Sequence, residues 1–346
     1  MTRQAKTGDR REVITTCSFD CGGRCLLKVR LEGGRITRIS TDSRPGPGLK
    51  ACPRGLNQHH VVSAPDRLIH PLLRHGPRGE GKFRQVSWEE AFDRLCAELT
   101  RVKEQHGPSA VLLMDYFGNS ARLHDTLRTA RRFFSLWGGC TTIWGNTSAD
   151  AAVFASKATL GSVNTGGTKD NLLQAELIIL WGFNPSVSRF GPQTMTYLRQ
   201  ARDKGVPIIG LDPRRNPTLT ALDARWIPLR PGTDTALLLA MAQVILEEGL
   251  QDDSFVETHT VGLDKLTAYL SGREDGQAKT PAWAEGITGV PAATTVELAR
   301  AYAGAKPACL WASWAPGRTA YGEQYHRVAP TLAALTGNIG VEGGWV

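Results

Sequence analysis

The hydrophobic pattern divides the chain into two styles of secondary structure. Between residues 12 and 55, short apolar stretches alternate with polar and glycine positions, and "CLLKVRLEGGRITRIS" predicts two strands joined at Gly33-Gly34. Glycines between two such stretches favour a hairpin turn because they adopt positive φ without strain. The first part of the chain is therefore predicted to be small and mainly β.

From about Ser87 the pattern changes to helices that alternate with apolar strands. Ser87 and Glu90 have the spacing of a capping box. Cys96 lies on the same predicted helix, where we expect it to fill core. One apolar face follows the cap at helical spacing and comprises Trp88, Ala91, Phe92, Leu95, Leu99 and Val102.

Short apolar runs along the rest of the chain predict buried strands separated by helices. The runs are "AVLLMD" (110–115), "ELIILWG" (176–182), "PIIGLD" (207–212), "RWIPL" (225–229) and "ACLWAS" (308–313). Continuous apolar strands alternating with helices are typical of a parallel sheet covered on both faces. We predict an α/β protein, in which a small, mainly β N-terminal domain precedes parallel-sheet, Rossmann-like domains.

Length and charge exclude some classes of protein. The 346 residues are enough for two or more domains with a substantial core. The net charge of +8 is spread along the chain without a basic, aromatic-interleaved stretch, so nucleic acid is not expected as a partner. A bound polyanionic cofactor would explain the positive charge equally well. No run of eighteen apolar residues is present, so the chain is not expected to span a membrane by itself.

Three cysteines stand four residues apart in "CSFDCGGRC", at Cys17, Cys21 and Cys25, and Cys52 in "LKACPRG" supplies a fourth thiol. Seven cysteines in all, without a secretory apolar segment, argue against a disulfide-rich secreted domain. Four thiolates suit either structural zinc or an iron–sulfur cluster. Zinc ribbons usually take two short Cys-x2-Cys pairs, so three ligands from one loop favour a cluster, with zinc or unligated core cysteines as alternatives.

Two strand ends carry residues suited to a nucleotide-type ligand. In parallel sheets, ligands gather at the carboxyl ends of strands, beside helix N-termini. "LIILWGFNPS" leaves its strand through Gly182 and Asn184, which offer close backbone approach and an amide. "IIGLDPRRNP" ends with Asp212, an acceptor for ribose or guanine donors, and with Arg214, a cation for phosphate.

A third turn, "RPGTD", places Gly232, Thr233 and Asp234 before a helix that begins near Ala236. Each turn alone is also what an ordinary helix cap requires. Three of them in order on one sheet favour a nucleotide-type ligand. Neither a Walker loop nor a GxGxxG fingerprint is present, so ordinary ATP or NAD binding is not supported.

Taken together, these segments resemble the molybdopterin oxidoreductases of the dimethyl sulfoxide reductase family. The resemblance runs from about Val13 to the last residue and is most specific in the cysteine motif and the closing "LAALTGNIGVEGG". It implies one molybdenum held between two molybdopterin guanine dinucleotides, and a 4Fe–4S cluster on the four cysteines. It also implies that Arg54, two residues after the last cysteine, lies between cluster and pterin, and that the three turns, with Trp181, hold one dinucleotide.

The resemblance divides the chain into a cluster domain at 1–60, a connecting region with the first α/β portion and the metal-ligand turn at 61–150, and an α/β dinucleotide-binding domain from 151 to 346. The last is expected to be incomplete, since relatives continue for several hundred residues beyond "GGWV". The chain would then be about the first half of a catalytic subunit.

The molybdenum ligand is expected in "GGCTTIWGNTSADAA". This segment resembles the turn of dimethyl sulfoxide reductases that carries a ligand serine, and matching Gly145 and the Ala151-Ala152 pair places Ser148 there. Cys140 is the competitor, because it is the only thiol nearby and a softer ligand. It lies eight residues too early for the motif and is also expected as a buried small residue.

The reaction implied is oxygen-atom transfer from a small S-oxide or N-oxide, with electrons delivered through the cluster. An iron–sulfur electron-transfer subunit and a membrane-anchor subunit are the implied partners. The alternatives are a formate dehydrogenase or a polysulfide or thiosulfate reductase of the same family, or a non-catalytic iron–sulfur scaffold or maturation protein. Cys-x3-Cys-x3-Cys resembles the cluster-containing dimethyl sulfoxide reductases better than formate dehydrogenases.

Localisation is predicted from the first residues of the chain. Arg10-Arg11 is followed by polar residues, so no twin-arginine signal is recognised. We expect a cytoplasmic enzyme, or a periplasmic or membrane-associated one if a leader is missing.

Overall fold

The computed structural model describes residues 10–19, 21, 23–42, 44, 49–115, 125–143, 145–188, 191 and 193–345. The chain forms two compact units, Met1–Trp144 and Gly145–Val346. None of the described helices is both long enough and apolar enough to cross a membrane.

The first unit begins with an antiparallel sheet of three strands, β1 (Arg10–Thr16), β2 (Leu26–Glu32) and β3 (Arg35–Thr41). Gly33 and Gly34 join β2 to β3 with φ values of +54° and +81°, so the predicted hairpin is confirmed. Two short helices follow, α1 (Pro53–Leu56) and α2 (Gln58–Val62). A small core lies on this sheet and contains Cys17, Cys25, Leu27, Val29 and Ile39.

Among its described residues, the rest of the first unit contains two further pairs of strands and two longer helices. These elements are β4 (Leu72–Arg74), β5 (Phe83–Gln85), α3 (Trp88–His106), β6 (Leu112–Leu113), α4 (Thr126–Trp137) and β7 (Thr141–Thr142). β4 and β5 are antiparallel, whereas β6 and β7 are parallel. The run "AVLLMD" therefore forms a strand in a small sheet of its own and does not join the sheet of the later runs.

Helix α3 begins where the sequence predicts. The Ser87 hydroxyl accepts a hydrogen bond of 3.1 Å from the amide of Glu90. The Glu90 carboxylate pairs with Arg84. The apolar face is present, but Trp88 and Phe92 are each 55% exposed, and Cys96 is exposed as well. Within the described residues Cys96 is not covered by a core, so the prediction that it fills one is wrong. Helical periodicity specifies an apolar face but not which element covers that face.

The second unit is an α/β layer structure. Its elements are α5 (Asp150–Leu160), β8 (Leu177–Trp181), α6 (Pro185–Ser188), α7 (Gln193–Asp203), β9 (Ile208–Leu211), α8 (Pro217–Ala221), β10 (Arg225–Ile227), α9 (Asp234–Glu247), α10 (Asp253–His259), α11 (Leu263–Leu270), α12 (Pro281–Thr288), α13 (Ala292–Gly304), β11 (Ala308–Ala312) and α14 (Glu323–Leu335). The strands form one parallel sheet in the order β10-β9-β8-β11. The predicted parallel sheet is confirmed for the last four apolar runs.

Strand β8 lies inside this sheet, and all five of its residues are buried. Its alternate side chains enter two cores, Ile179 with α9, α13 and α14, and Ile178 with α7 and α8. Burial on both faces explains why the strand is a continuous apolar run. The chain order reverses between β8 and β11, which makes the crevice beyond their carboxyl ends the expected ligand site.

Candidate functional site

The cysteine loop is closed at its base by the ends of two strands. Cys17 follows β1 and Cys25 precedes β2, and both are only 5% exposed. The amide of Cys17 donates a hydrogen bond of 2.8 Å to the carbonyl of Cys25. Cys21, on the loop between them, is half-buried. The strand ends therefore hold two thiols inward and carry the third on a short loop.

The fourth cysteine enters from the helix side. Cys52 is the N-cap residue of α1, and a Cβ placed on Gly55 in the same helix would lie 3.5 Å from the sulfur of Cys17. Helix α1 therefore packs at ordinary contact distance from the buried Cys17 thiol. Arg54 is exposed on the same helix, two residues after Cys52. Its proposed position between two redox centres stays a prediction.

The charges of the four cysteine thiolates favour a positively charged ligand. Burial and, to a smaller extent, the neighbouring sulfurs of Cys17, Cys21 and Cys52 raise the pKa of the Cys25 thiol to about 11. Four thiolates at one site would need compensating cations, which the irons of a 4Fe–4S cluster provide. Within the described residues, no group of three or more His, Cys, Asp or Glu side chains has the spacing for one metal ion. The donor set fits a cluster.

The first strand end of the second unit depends on a glycine. Gly182 follows β8 with φ of +61°, and a Cβ there would stand 2.8 Å from the Pro316 side chain. Only glycine tolerates both the positive φ and this approach. Two residues later, the amide oxygen of Asn184 accepts a hydrogen bond of 2.8 Å from the hydroxyl of Thr218. The ends of β8 and β9 are thus tied together.

Asn216 organises the second strand end. It is 1% exposed, and its side-chain oxygen caps α8 by accepting from the amides of Thr218 and Leu219. Its amide nitrogen donates at 2.9 Å to Asp212, whose other oxygen accepts from the amide of Arg214 at 3.0 Å. Sequence reasoning did not select Asn216, although an Asn-Pro pair at a helix start signals a cap.

The third turn carries a buried carboxylate. Gly232 has φ of +77°, and the hydroxyl of Thr233 donates at 2.7 Å to the carbonyl of Arg230. Asp234, the first residue of α9, is 7% exposed and accepts a hydrogen bond of 2.7 Å from the indole of Trp181. Burial raises the pKa of the Asp234 carboxyl, and the Trp181 hydrogen bond opposes that rise.

A cavity of about 380 Å³ joins the three turns, and we call it the large cavity because it is the larger of two that adjoin at this edge of the sheet. It lies beyond the carboxyl ends of β8 and β11, at the reversal of strand order. Among its lining residues are Gly182, Asn184, Asp212, Arg214, Gly232 and Asp234. Of the remaining sequence-predicted contacts, Thr233 lines an adjoining cavity. Trp181 is fully buried and reaches the large cavity through Asp234.

The large cavity also contains residues that sequence reasoning missed, among them Ser188, Trp314 and Arg318. Trp314 and Arg318 follow β11 and reach the site only because that strand pairs with β8. Arg214 and Arg318 offer two cations to phosphate groups, and the strand-end glycines permit close backbone approach. The arrangement fits a dinucleotide such as the molybdopterin guanine dinucleotide.

The candidate metal ligand lies on a turn that leads into α5. Gly145 has φ of +83°, and a Cβ there would collide with the carboxylate of Asp150. That carboxylate accepts a hydrogen bond from the amide of Asn146, whose own side chain accepts from the amide of Ser148 at 2.8 Å. Among the described residues, main-chain amides and neighbouring side chains thus hold the turn, and the Ser148 hydroxyl is not used in these hydrogen bonds.

Cys140, the alternative ligand, belongs to the first unit and directly precedes β7. It is half-buried, and Arg131, which it influences electrostatically, is paired with Asp115. Ser148 as the molybdenum ligand stays a prediction, with Cys140 as its competitor.

Comparison with known proteins identifies a family for both the cysteine-containing N-terminal part of the chain and the part that follows it. The family model "Molybdopterin oxidoreductase" matches residues 67–346, and the model "Molybdopterin oxidoreductase Fe4S4 domain" matches residues 11–64. Among solved structures, acetylene hydratase from Pelobacter acetylenicus matches with a TM-score of 0.73 and 25% identity, over 96% of this chain and 44% of that one.

Curated relatives cover nearly the whole chain. The putative dimethyl sulfoxide reductase chain YnfE of Escherichia coli is 35% identical over 95% of this chain and 43% of its own length. Dimethyl sulfoxide reductase DmsA of the same organism is 34% identical over 97% of this chain and 44% of its own. The dimethyl sulfoxide/trimethylamine N-oxide reductase of Rhodobacter capsulatus is 33% identical, over 97% and 43%.

The chain thus spans less than half the length of these relatives. Molybdopterin and a 4Fe–4S cluster are the cofactors that the two matching family models imply. On these matches, the chain belongs to the molybdopterin oxidoreductase family and carries the Fe4S4 domain of that family.

Proposed function

We propose that the protein acts in molybdenum-dependent oxygen-atom transfer, reducing small S-oxides or N-oxides with electrons that enter through the 4Fe–4S cluster. The observation that carries this proposal is the set of relatives. The three compared above, named for reduction of dimethyl sulfoxide or trimethylamine N-oxide, are 33–35% identical over at least 95% of the chain.

The net reaction consumes two electrons and two protons and converts an S-oxide into a sulfide and water. A bound molybdenum centre supplies the two-electron oxygen-atom chemistry. The chain contributes the Ser148 hydroxyl as proposed ligand, on a turn fixed by Asn146 and Asp150. The described hydrogen bonds of the turn do not engage the hydroxyl, so we expect its oxygen to be available for coordination.

We infer that electrons enter the protein through the first unit. Cys17, Cys21, Cys25 and Cys52 would hold the cluster, with Cys17 at the end of β1, Cys25 at the start of β2 and Cys52 at the start of α1. The exposed guanidinium of Arg54 adds positive charge next to Cys52 and would favour the reduced, more negative state of the cluster. We infer that the reductant is an iron–sulfur electron-transfer subunit attached to a membrane anchor.

The second unit would hold one dinucleotide. Arg214 and Arg318 face the large cavity and would bind phosphate oxygens, while Asp212 and Asp234 would accept hydrogen bonds from the nucleoside. Gly182 would let the main chain approach the ligand. The protein's contribution here is binding and orientation of the cofactor.

Fold alone does not decide between reactions in this family. The structural neighbour is named as an acetylene hydratase, and it shares the fold over nearly the whole chain. Formate dehydrogenase, polysulfide or thiosulfate reductase, and scaffold functions therefore need direct exclusion.

The test uses the complete product of the gene, purified anaerobically from a molybdenum-replete host. We expect bound iron and molybdenum, and oxidation of reduced viologen with dimethyl sulfoxide or trimethylamine N-oxide. Formate, thiosulfate, polysulfide and acetylene are assayed in parallel as controls. Turnover of one of these controls without oxide reduction would refute the proposal, and iron without molybdenum would indicate a scaffold.

A further inference from the structure

A groove of about 770 Å³ lies on the second unit, between the end of α5, helices α10 and α11, and α14, and we call it the α14 groove. Its volume is about twice that of the large cavity. Among the described residues, none that lines the α14 groove also lines the large cavity or the cavity that adjoins it. Sites for small molecules have volumes in this range. The groove is therefore a candidate site for a ligand other than the dinucleotide.

Apolar side chains form most of the floor and rim of the α14 groove. Val261, in the connection between α10 and α11, is fully exposed to solvent. The ring of Phe255 stacks on that of His259 with their centroids 4.7 Å apart. A ligand with an apolar body would remove this surface from water, which favours its binding. The apolar lining residues are Leu160, Phe255, Val261, Leu263, Leu266, Pro330, Ala334, Leu335 and Ile339.

The helices already use the protons of three threonine hydroxyls in the lining. Thr258, Thr260 and Thr331 each donate to the main-chain carbonyl four residues earlier, at 2.5, 2.7 and 2.9 Å. A hydroxyl has one proton, so these three groups can accept a further hydrogen bond but cannot donate one. The Nδ1 of His259 lies 2.7 Å from the Thr258 oxygen and must therefore be the donor of that pair. Neutral His259 then offers a ligand only an acceptor, at Nε2.

Arg327 supplies the donors that these groups lack. Its guanidinium has five N–H groups, and one of its nitrogens donates at 3.1 Å to the side-chain oxygen of Gln324. Arginine is always charged, and its planar fork matches the two oxygens of a carboxylate. No Asp or Glu is among the described residues that line the groove. The α14 groove thus combines one cation with an apolar floor.

We propose that the α14 groove binds a small amphiphilic carboxylate, whose apolar body covers the floor and whose single carboxylate pairs with Arg327. A cationic amphiphile would be repelled by the guanidinium, and a neutral one would gain nothing from its charge. A dianion would lack a second permanent cation among the described lining residues. A second copy of the chain, docked through the same groove, would bring two Arg327 guanidinium groups together, which disfavours it. The proposal is independent of oxide reduction and of the dinucleotide.

The first experiment measures binding of decanoate to the complete product of the gene by calorimetry. Arg327→Gln should weaken decanoate binding about fivefold, because an ionic hydrogen bond at an exposed site is lost. Decan-1-ol has the same chain without the charge, and its affinity should differ by less than about twofold between wild type and this variant. Arg273→Gln is the matched control, since Arg273 is also exposed and bonded to a neighbouring side chain, that of Ser271, but does not line the groove.

The second experiment changes the charge at the rim without disturbing packing. Val261 is fully exposed, so neither Val261→Glu nor Val261→Lys removes a buried contact. We expect Val261→Glu to weaken decanoate binding about threefold and Val261→Lys to strengthen it by a similar factor, because the new charges repel or attract the carboxylate. Binding of decan-1-ol should change by less than about twofold in both variants.

Hydrogen exchange locates the bound decanoate. Exchange should slow in the connection between α10 and α11 and in α14, and should stay unchanged in α7. Equal affinity of wild type for decanoate and decan-1-ol, unchanged decanoate affinity in Arg327→Gln, or no binding at millimolar concentration would overturn the proposal. Binding by the 346-residue chain but not by the complete product would also overturn it, and would show that another part of the polypeptide fills the groove. None of these measurements needs molybdenum or turnover.

Discussion

Arg318 donates a hydrogen bond of 3.3 Å from its Nε to the main-chain carbonyl of Ser148, across 170 positions of sequence. The same arginine lines the large cavity. One side chain therefore touches both the turn that carries the proposed metal ligand and the cavity proposed for the dinucleotide. One hydrogen bond thus joins the lining of the large cavity to the turn of Ser148 within the second unit.

Ser148→Ala should abolish oxide reduction in the molybdenum-loaded protein while the turn stays folded. The hydrogen bonds that fix the turn come from Asn146 and Asp150 and do not involve the hydroxyl. We expect molybdenum to remain bound, because the dithiolenes of the pterins hold it as well. The measurements are metal content, viologen-coupled turnover and the molybdenum EPR signal.

Ser148→Cys serves as the companion variant and should retain metal but change the EPR signal, since sulfur replaces oxygen. Cys140→Ser is the control and should leave signal and turnover unaltered. If Cys140→Ser changes the signal and both Ser148 variants leave it as in wild type, the ligand is Cys140.

Gly145→Ala should destabilise the second unit by about 1–3 kcal/mol. The new Cβ would sit on a backbone with φ of +83° and would strike the Asp150 carboxylate, which caps the amide of Asn146. Urea unfolding followed by tryptophan fluorescence measures the free energy of unfolding.

Gly276→Ala is the matched control for this substitution. Its φ is +74°, but a Cβ there meets nothing within 4 Å. Backbone strain alone should cost about 1 kcal/mol. Equal losses in the two variants would mean that the Asp150 contact contributes nothing to the stability of the turn.

Much of this architecture was predictable because the relevant signals are local. The β2–β3 hairpin is encoded by two glycines between apolar stretches, and β8 to β11 by continuous apolar runs. Six of the turn residues chosen from sequence line one cavity, because the carboxyl ends of parallel strands meet at one edge of a sheet.

Features that depend on long-range strand pairing could not be predicted from the sequence. Arg318 and Trp314 reach the large cavity only through the pairing of β11 with β8, which no local pattern specifies. "AVLLMD" has the same composition as the later strands, yet its partner is Thr141–Thr142 in another sheet. Composition predicts that a strand is buried, whereas long-range pairing decides where.

Cys52→Ser should remove or convert the 4Fe–4S cluster in the anaerobically reconstituted chain, whereas Cys96→Ser should leave about four irons bound. Cys52 directly precedes α1, whose Gly55 lies near the Cys17 sulfur, while Cys96 is exposed on α3. Iron content and the visible absorption of the cluster are the measurements. Stoichiometric zinc without iron, in protein purified without air, would show that the site is a zinc centre.

The stability of the second unit should fall in acid because of His326. This residue of α14 is 9% exposed, and burial lowers the pKa of its imidazole to about 4. In the unfolded chain the pKa of the imidazole lies near 6.5. Between about pH 6.5 and pH 4 the unfolded state therefore binds a proton on His326 that the folded state does not bind. The free energy of unfolding that depends on neutral His326 is fully present above about pH 6.5, and it is lost as the pH falls to about 4.

His326→Gln removes the titrating group and keeps a similar volume. We expect wild type to lose up to about 3 kcal/mol more than this variant between pH 7 and pH 4, the free-energy equivalent of the shift. Asp234, whose pKa burial raises, titrates in both proteins, so its effect cancels in the difference. Urea unfolding at several pH values measures that difference. Parallel curves for the two proteins would show that His326 accepts a proton equally well folded and unfolded, contrary to its burial beside Gly317.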